Sequence, residues 1–257
     1  MKRKQLKYLT RLGLMFLLLT LLLSCSKDKH ESSYFEPEES LKEADTLISN
    51  RKFEKAREIL EDIKAKDASQ KYATVARLRI ADTYFEDGSY EEAAVEYESF
   101  LNIHNRHRYA SYAQFKLAMS YFKRIKTVDV SYSWAKRALD EFERLLQAYP
   151  RNPYLEVTED RIRTCRKLLA DYELYVGKFY FKKKSYTAAL LRLNNILKTY
   201  PDYDNESETL YYIGVSYNKL GQQDEAMTTL HALISKYPAS KISNDAKKVL
   251  ASIHKKQ

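Results

Sequence analysis

The sequence predicts an all-α chain: a right-handed superhelix of about five stacked helix pairs, closed by a C-terminal capping helix. Three observations predict it. First, three Tyr-Pro pairs, Tyr149-Pro150, Tyr200-Pro201 and Tyr237-Pro238, each end a segment whose apolar residues recur at helical spacing. Second, a common set of small, aromatic and aliphatic positions repeats upstream of each pair. Third, the stretch after the last pair keeps the period through Ile242, Ala246, Val249 and Ile253, as a sealing helix would.

In chain order the first element is a targeting segment, residues 1–24. Lys2, Arg3, Lys4, Lys7 and Arg11 precede an uncharged run of 12 residues from Leu12 to Leu23. A membrane-spanning helix needs roughly 20 apolar residues, so the run is too short to cross and reads as a secretory signal. Leu22-Leu23-Ser24-Cys25 resembles the bacterial lipobox. That resemblance implies cleavage before Cys25, acylation of Cys25, and, with Ser26 rather than Asp next, passage to the outer membrane. Several acyl chains hold a protein stably, because each buried CH₂ adds about 0.8 kcal/mol. Residues 25–36 are then a lipid-anchored linker.

The repeats follow. Ala44, Leu47, Ala56, Leu60 and Ile63 form a degenerate first copy. Ala81, Tyr84, Ala93, Tyr97 and Phe100 form the second. Ala118, Tyr121, Ala138, Phe142, Leu145 and Pro150 form the third, with 8 extra residues between its helices. Gly177, Tyr180, Ala189, Leu193, Ile196 and Pro201 make the fourth, and Gly214, Tyr217, Ala226, Leu230, Leu233 and Pro238 the fifth. This is the spacing of the tetratricopeptide repeat. Small residues such as Gly214 and Ala226 let paired helices approach, tyrosine and leucine fill the space between pairs, and proline stops the second helix. The spacing predicts helices over 38–49, 52–65, 71–87, 90–103, 109–125, 132–148, 153–183, 186–199, 206–220, 223–236 and 240–255. Residues 37–150 hold repeats one to three. Residues 151–257 hold one long connecting helix, repeats four and five, and the cap.

Composition limits the chemistry. The formal charge is +9, from 44 Lys and Arg against 35 Asp and Glu. Removing the five basic residues of the signal leaves 39 against 35, or +4, so nothing marks a nucleic-acid binder. The five glycines are too scattered for a phosphate-cradling loop, so no cofactor is expected. Cys165 lies at helical spacing from Ile162 and Leu169 and reads as core. His104 and His107 have no companion ligands and read as turn residues, not a metal pair. Ser133 and Lys136 match Ser-x-x-Lys without its companion motifs. Lys182-Lys183-Lys184 reads as a solvated helix end. The chain is expected not to be an enzyme.

The lipobox, the repeat count and the segment ALDEFERLLQAYPRNPYLEVTEDRIRTCRKLLADYELYVGKFYFKKKSYTAALLRLNNILKTYPD together resemble the BamD (ComL/YfiO) family. The resemblance implies a lipid-anchored protein on the periplasmic face of the outer membrane that serves β-barrel assembly. The implied partners are the periplasmic domains of a BamA-like barrel subunit, unfolded outer-membrane protein clients, and accessory lipoproteins. Repeat offsets aim Phe85, Phe115, Met119 and Phe122 at the groove, where the resemblance implies client binding. Lys178, Phe181, Lys182 and Lys183 are the expected docking site for the barrel subunit. Two other classes stand as alternatives, a TolA-binding or cell-envelope scaffold type of periplasmic adaptor and an enzyme with a helical-repeat body. A TolA-binding type of periplasmic adaptor would carry an N-terminal coiled coil, and no sustained heptad precedes Leu41. A transglycosylase would need a separate catalytic domain.

Overall fold

The computed structural model describes residues 35–127 and 132–255. The chain divides into two units, residues 1–36 and 37–257. Of the first, only Phe35 and Glu36 are described, both outside any helix. The signal run, Cys25 and most of the linker lie outside the described residues.

The second unit contains eleven helices and no strand among its described residues. They are α1 (Pro37–Ser49), α2 (Phe53–Lys66), α3 (Lys71–Asp87), α4 (Tyr90–His104), α5 (Ala110–Lys123), α6 (Tyr132–Ala148), α7 (Leu155–Lys182), α8 (Tyr186–Thr199), α9 (Glu206–Lys219), α10 (Gln223–Lys236) and α11 (Lys241–His254). Each packs chiefly on its sequence neighbours, the arrangement of a tetratricopeptide-repeat solenoid. The pairs are α1–α2, α3–α4, α5–α6, α7–α8 and α9–α10, with α11 sealing the last. The predicted helices match these to within two residues at each end. Among the described residues no helix is long and apolar enough to cross a membrane.

Local chemistry sets the ends of the helices. The turn within four of the pairs passes through a left-handed residue: Arg51 at φ 58°, Gly88 at 85°, Lys184 at 61° and Gly221 at 79°. Glycine adopts this conformation without strain. Arginine and lysine adopt it at a steric cost, each two residues before the next helix starts. Asp67 organises the start of α3. Its carboxylate accepts from the Tyr72 N–H at 2.6 Å, the Ala73 N–H at 2.9 Å and the Ser69 N–H at 3.0 Å. These donors, with the Ser69 hydroxyl foremost, hold its pKa below the ordinary value. Ser240 caps α11 by accepting from the Ser243 N–H at 3.1 Å.

The core is a chain of four apolar clusters. Tyr97 and Phe100 anchor the first, Phe142, Cys165 and Leu169 the second, Leu193 and Ile196 the third, and Leu230 and Leu233 the fourth. Helix α7 serves two of them. Ile162, Cys165 and Leu169 face the second cluster, and Ala170 and Leu174 the third. At about 1.5 Å per residue its 28 residues are long enough to pack first on α6 and then on α8.

The glycine contacts refine the expected small-residue approach. A Cβ on Gly214 would stand 2.7 Å from both Cγ and Cδ2 of Leu230, while the Ala226 carbonyl lies farther off at 3.6 Å. A Cβ on Gly177 would meet Leu193 Cδ2 at 2.7 Å. Leucine of the second helix, rather than the expected alanine, makes the closest approach.

Candidate functional site

Phe85, Phe115, Met119 and Phe122 are all half-buried. Phe85 packs on the first cluster, edge-on to Tyr90 at 5.4 Å, with Lys116 Nζ 3.7 Å above its ring. The other three pack together on the second cluster. Phe115 stacks on Tyr154 at 4.5 Å, Phe122 meets the Phe142 ring at 6.2 Å, and the Arg161 guanidinium lies 5.1 Å from Phe122. Each aromatic therefore offers part of its surface and commits the rest to packing between pairs.

Beside Phe85 lies a polar node with no sequence signal. Asp82 is buried, and its Oδ1 accepts from the Tyr97 hydroxyl at 2.6 Å and the Tyr112 hydroxyl at 2.7 Å. Burial pushes the carboxyl pKa up, against the pull of the two hydroxyls, Lys116 and Arg79. Burial and the facing carboxylate push both tyrosines up as well. One carboxylate thus joins α3, α4 and α5 beneath the face that carries Phe85.

At the other end, the structure divides the four expected docking residues. Lys178 Nζ pairs with Glu208 Oε1 at 2.6 Å and lies 5.5 Å from the Tyr212 ring. Phe181 is half-buried, 4.9 Å from Tyr212 and 5.6 Å from Tyr186. These two residues therefore face α9. Lys182 and Lys183 are exposed, and Lys183 lies 5.8 Å from the ring of Phe179. The exposed aromatics of this helix are Phe179 and Tyr175, which the repeat offsets do not single out.

A cleft of about 330 Å³ between α7 and the α8–α9 turn is lined by Arg163, Arg166, Lys167 and Tyr200 among others. Its cations are already matched: Arg163 to Asp160 at 3.3 Å, Arg166 to Glu143 at 2.8 Å, and Lys167 to Asp171 at 3.6 Å. Burial pushes the Tyr200 hydroxyl up to about 12. Cys165 is fully buried, which pushes its thiol up to about 12, against the pull of Arg161. His104 and His107 both pack on Phe100, at 5.2 and 5.8 Å.

Comparison with known proteins gives the following. The model of the YfiO family, described as outer membrane lipoprotein, matches residues 35–231. The outer membrane protein assembly factor BamD of Vibrio cholerae is 35% identical over 89 residues, 35% of this chain and 37% of that one. BamD of Haemophilus influenzae is 33% identical over 86 residues, 34% of this chain and 33% of that one. BamD of Rickettsia prowazekii is 32% identical over 115 residues, 44% of this chain and 46% of that one. The chain thus spans between a third and a half of the length of these curated relatives. Among solved structures, the TPR2AB-domain:pHSP90 complex of yeast Sti1 aligns with 86% of this chain and 84% of that chain, at 16% identity and a TM-score of 0.46.

Proposed function

The chain belongs to the YfiO family of outer membrane lipoproteins, and on that premise we propose that it is a non-enzymatic factor in β-barrel assembly at the outer membrane. The observation that carries this reading is the extent of the family match, which covers residues 35–231, from α1 through the first four helix pairs and into the second helix of the fifth. The names of the relatives point the same way.

In this reading Cys25 is acylated and holds the chain on the periplasmic face. The half-buried row of Phe115, Met119 and Phe122, with Phe85 beside it, takes the aromatic residues of an unfolded client segment. Aromatic and Met side chains suit that task because they adapt to varied apolar groups. The face formed by Lys178 and Phe181 with Glu208 and Tyr212 docks the periplasmic domains of a BamA-like barrel subunit, with Lys182 at its border. An aromatic anchor beside charged groups is the usual make-up of such a contact.

The test is purification of the acylated protein from its native membrane, followed by identification of what comes with it. Recovery of a barrel protein bearing periplasmic domains is expected, as is loss of heat-modifiable folded barrels on depletion. Normal barrel folding after depletion would overturn the reading. The Cys25→Ala variant should lose its lipid-dependent mass and its membrane association. Crosslinking from Phe122 should capture client C-terminal peptides in preference to scrambled ones.

A further inference from the structure

We propose that the outward face of the C-terminal half of α7 is a docking surface for an anionic phospholipid bilayer. In this half of the helix Ala170, Glu173, Leu174 and Gly177 are buried. At about 100° per residue, Tyr175, Phe179 and Lys182 fall within roughly 60° of one another, on the side away from Gly177. That side should be polar. Instead Tyr175 is 56% exposed and Phe179 50% exposed, one turn apart. Exposed aromatics grouped on one face mark a contact surface.

Asp171, one turn before Tyr175, is taken up by Lys167 and Tyr203, and the stretch that follows Tyr175 carries charge of one sign. From Val176 to Pro201 the chain has no Asp or Glu and six cations: Lys178, Lys182, Lys183, Lys184, Arg192 and Lys198. Carboxylates from outside the stretch take two of these, Glu208 for Lys178 at 2.6 Å and Glu173 for Arg192 at 3.4 Å. The remaining four are exposed lysines with no ion-pair partner among the described residues. Lys182, Lys183 and Lys184 follow Phe179 after Tyr180 and Phe181, and Lys183 lies 5.8 Å from the Phe179 ring. The complement is therefore an anionic surface that also accepts aromatic rings.

Two kinds of surface have that character, an acidic protein edge and a bilayer with anionic headgroups. The residue types favour the bilayer. All four uncompensated cations are lysine. Its compact ammonium stays strongly hydrated and is depleted from protein–protein interfaces, where arginine is preferred. At a headgroup layer lysine keeps its water while tyrosine and phenylalanine rings sit at the polar–apolar boundary. The aromatics also stand on the side of the helix away from its own packing, where a flat partner can reach them.

The test uses the mature chain with Cys25→Ser, so that no acyl chain contributes, and vesicles of phosphatidylcholine with or without phosphatidylglycerol. The wild-type surface should sediment with the anionic vesicles, weaken with salt, and ignore phosphatidylcholine alone. Each lysine lost should cost roughly fivefold in partitioning, so Lys182→Glu with Lys183→Glu should cost more than tenfold. Phe179→Ser should also weaken binding while helical content is kept. Lys241→Glu with Lys247→Glu, the same charge change on exposed positions of α11, should leave binding unchanged. Equal loss in both pairs would reduce the effect to net charge and overturn the proposal. So would absence of vesicle binding, or Phe179-dependent binding of an acidic Glu-Tyr copolymer in its place. No assembly partner takes part, so the outcome is separate from that of the assembly reading.

Discussion

The Tyr112 hydroxyl on α5 donates a 2.7 Å hydrogen bond to Asp82 on α3, across thirty residues of sequence. The same spacing recurs along the solenoid. Lys116 reaches Glu86 at 3.3 Å and Lys178 reaches Glu208 at 2.6 Å, each joining the first helices of successive pairs. Asp82 is the buried one of these links and also holds Tyr97, so it is where polar chemistry bears most on stability.

Asp82→Ala should destabilise the protein by about 2 kcal/mol or more, because two largely buried hydroxyls lose their acceptor. Asp82→Asn keeps the accepting oxygen and should cost less. The sign of the pH effect follows from burial. The folded carboxyl titrates above its ordinary 3.8, so the folded state holds a proton that the unfolded state releases. Its contribution is full below 3.8 and declines as pH rises through the raised value. Urea unfolding of wild type and Asp82→Asn at several pH values should show wild type losing ground to the variant across that window. Parallel pH profiles would contradict it.

Gly177→Ala sets two effects against each other. Alanine favours the helix by about 1 kcal/mol, but its Cβ would stand 2.7 Å from Leu193 Cδ2 in a filled core. Overpacking costs about 1–3 kcal/mol, so a net loss of about 1 kcal/mol is expected. The double variant with Leu193→Ala should lose less than the two single variants combined, because the clash is gone. Additive losses in thermal unfolding would show that the contact yields freely.

Cys165 should resist thiol reagents in the native protein. Its thiol is buried and titrates at about 12, leaving almost no thiolate at pH 8. Iodoacetamide labelling followed by mass spectrometry should show no adduct until urea passes the unfolding midpoint. Rapid native labelling would mean that α6 and α7 open locally.

Phe181→Ala should weaken docking of barrel-subunit periplasmic domains by about 2 kcal/mol or more, mainly through faster dissociation. Lys182→Glu should act mainly on association and depend on salt. Circular dichroism must stay unchanged, since Phe181 also packs on Tyr212 at 4.9 Å. Wild-type affinity in both variants would place the docking face elsewhere on the solenoid.

The sequence alone determined the repeat, the helix limits, the single long α7 and the burial of Cys165. These rest on local spacing, which helix geometry converts directly into one apolar stripe per helix. Only the tertiary structure decided which polar and aromatic residues meet. Asp82, Tyr97 and Tyr112 lie on three helices, and no periodicity within one helix marks their convergence. Repeat offsets singled out Phe181, and the structure leaves it half-buried with one side against Tyr212 of the next pair, while Phe179, which the offsets do not single out, is more exposed. The offsets set a residue's angle about its own helix. What stands opposite that angle depends on how the next pair is placed, and for α7, which changes partners along its length, that placement belongs to the stack and not to the helix.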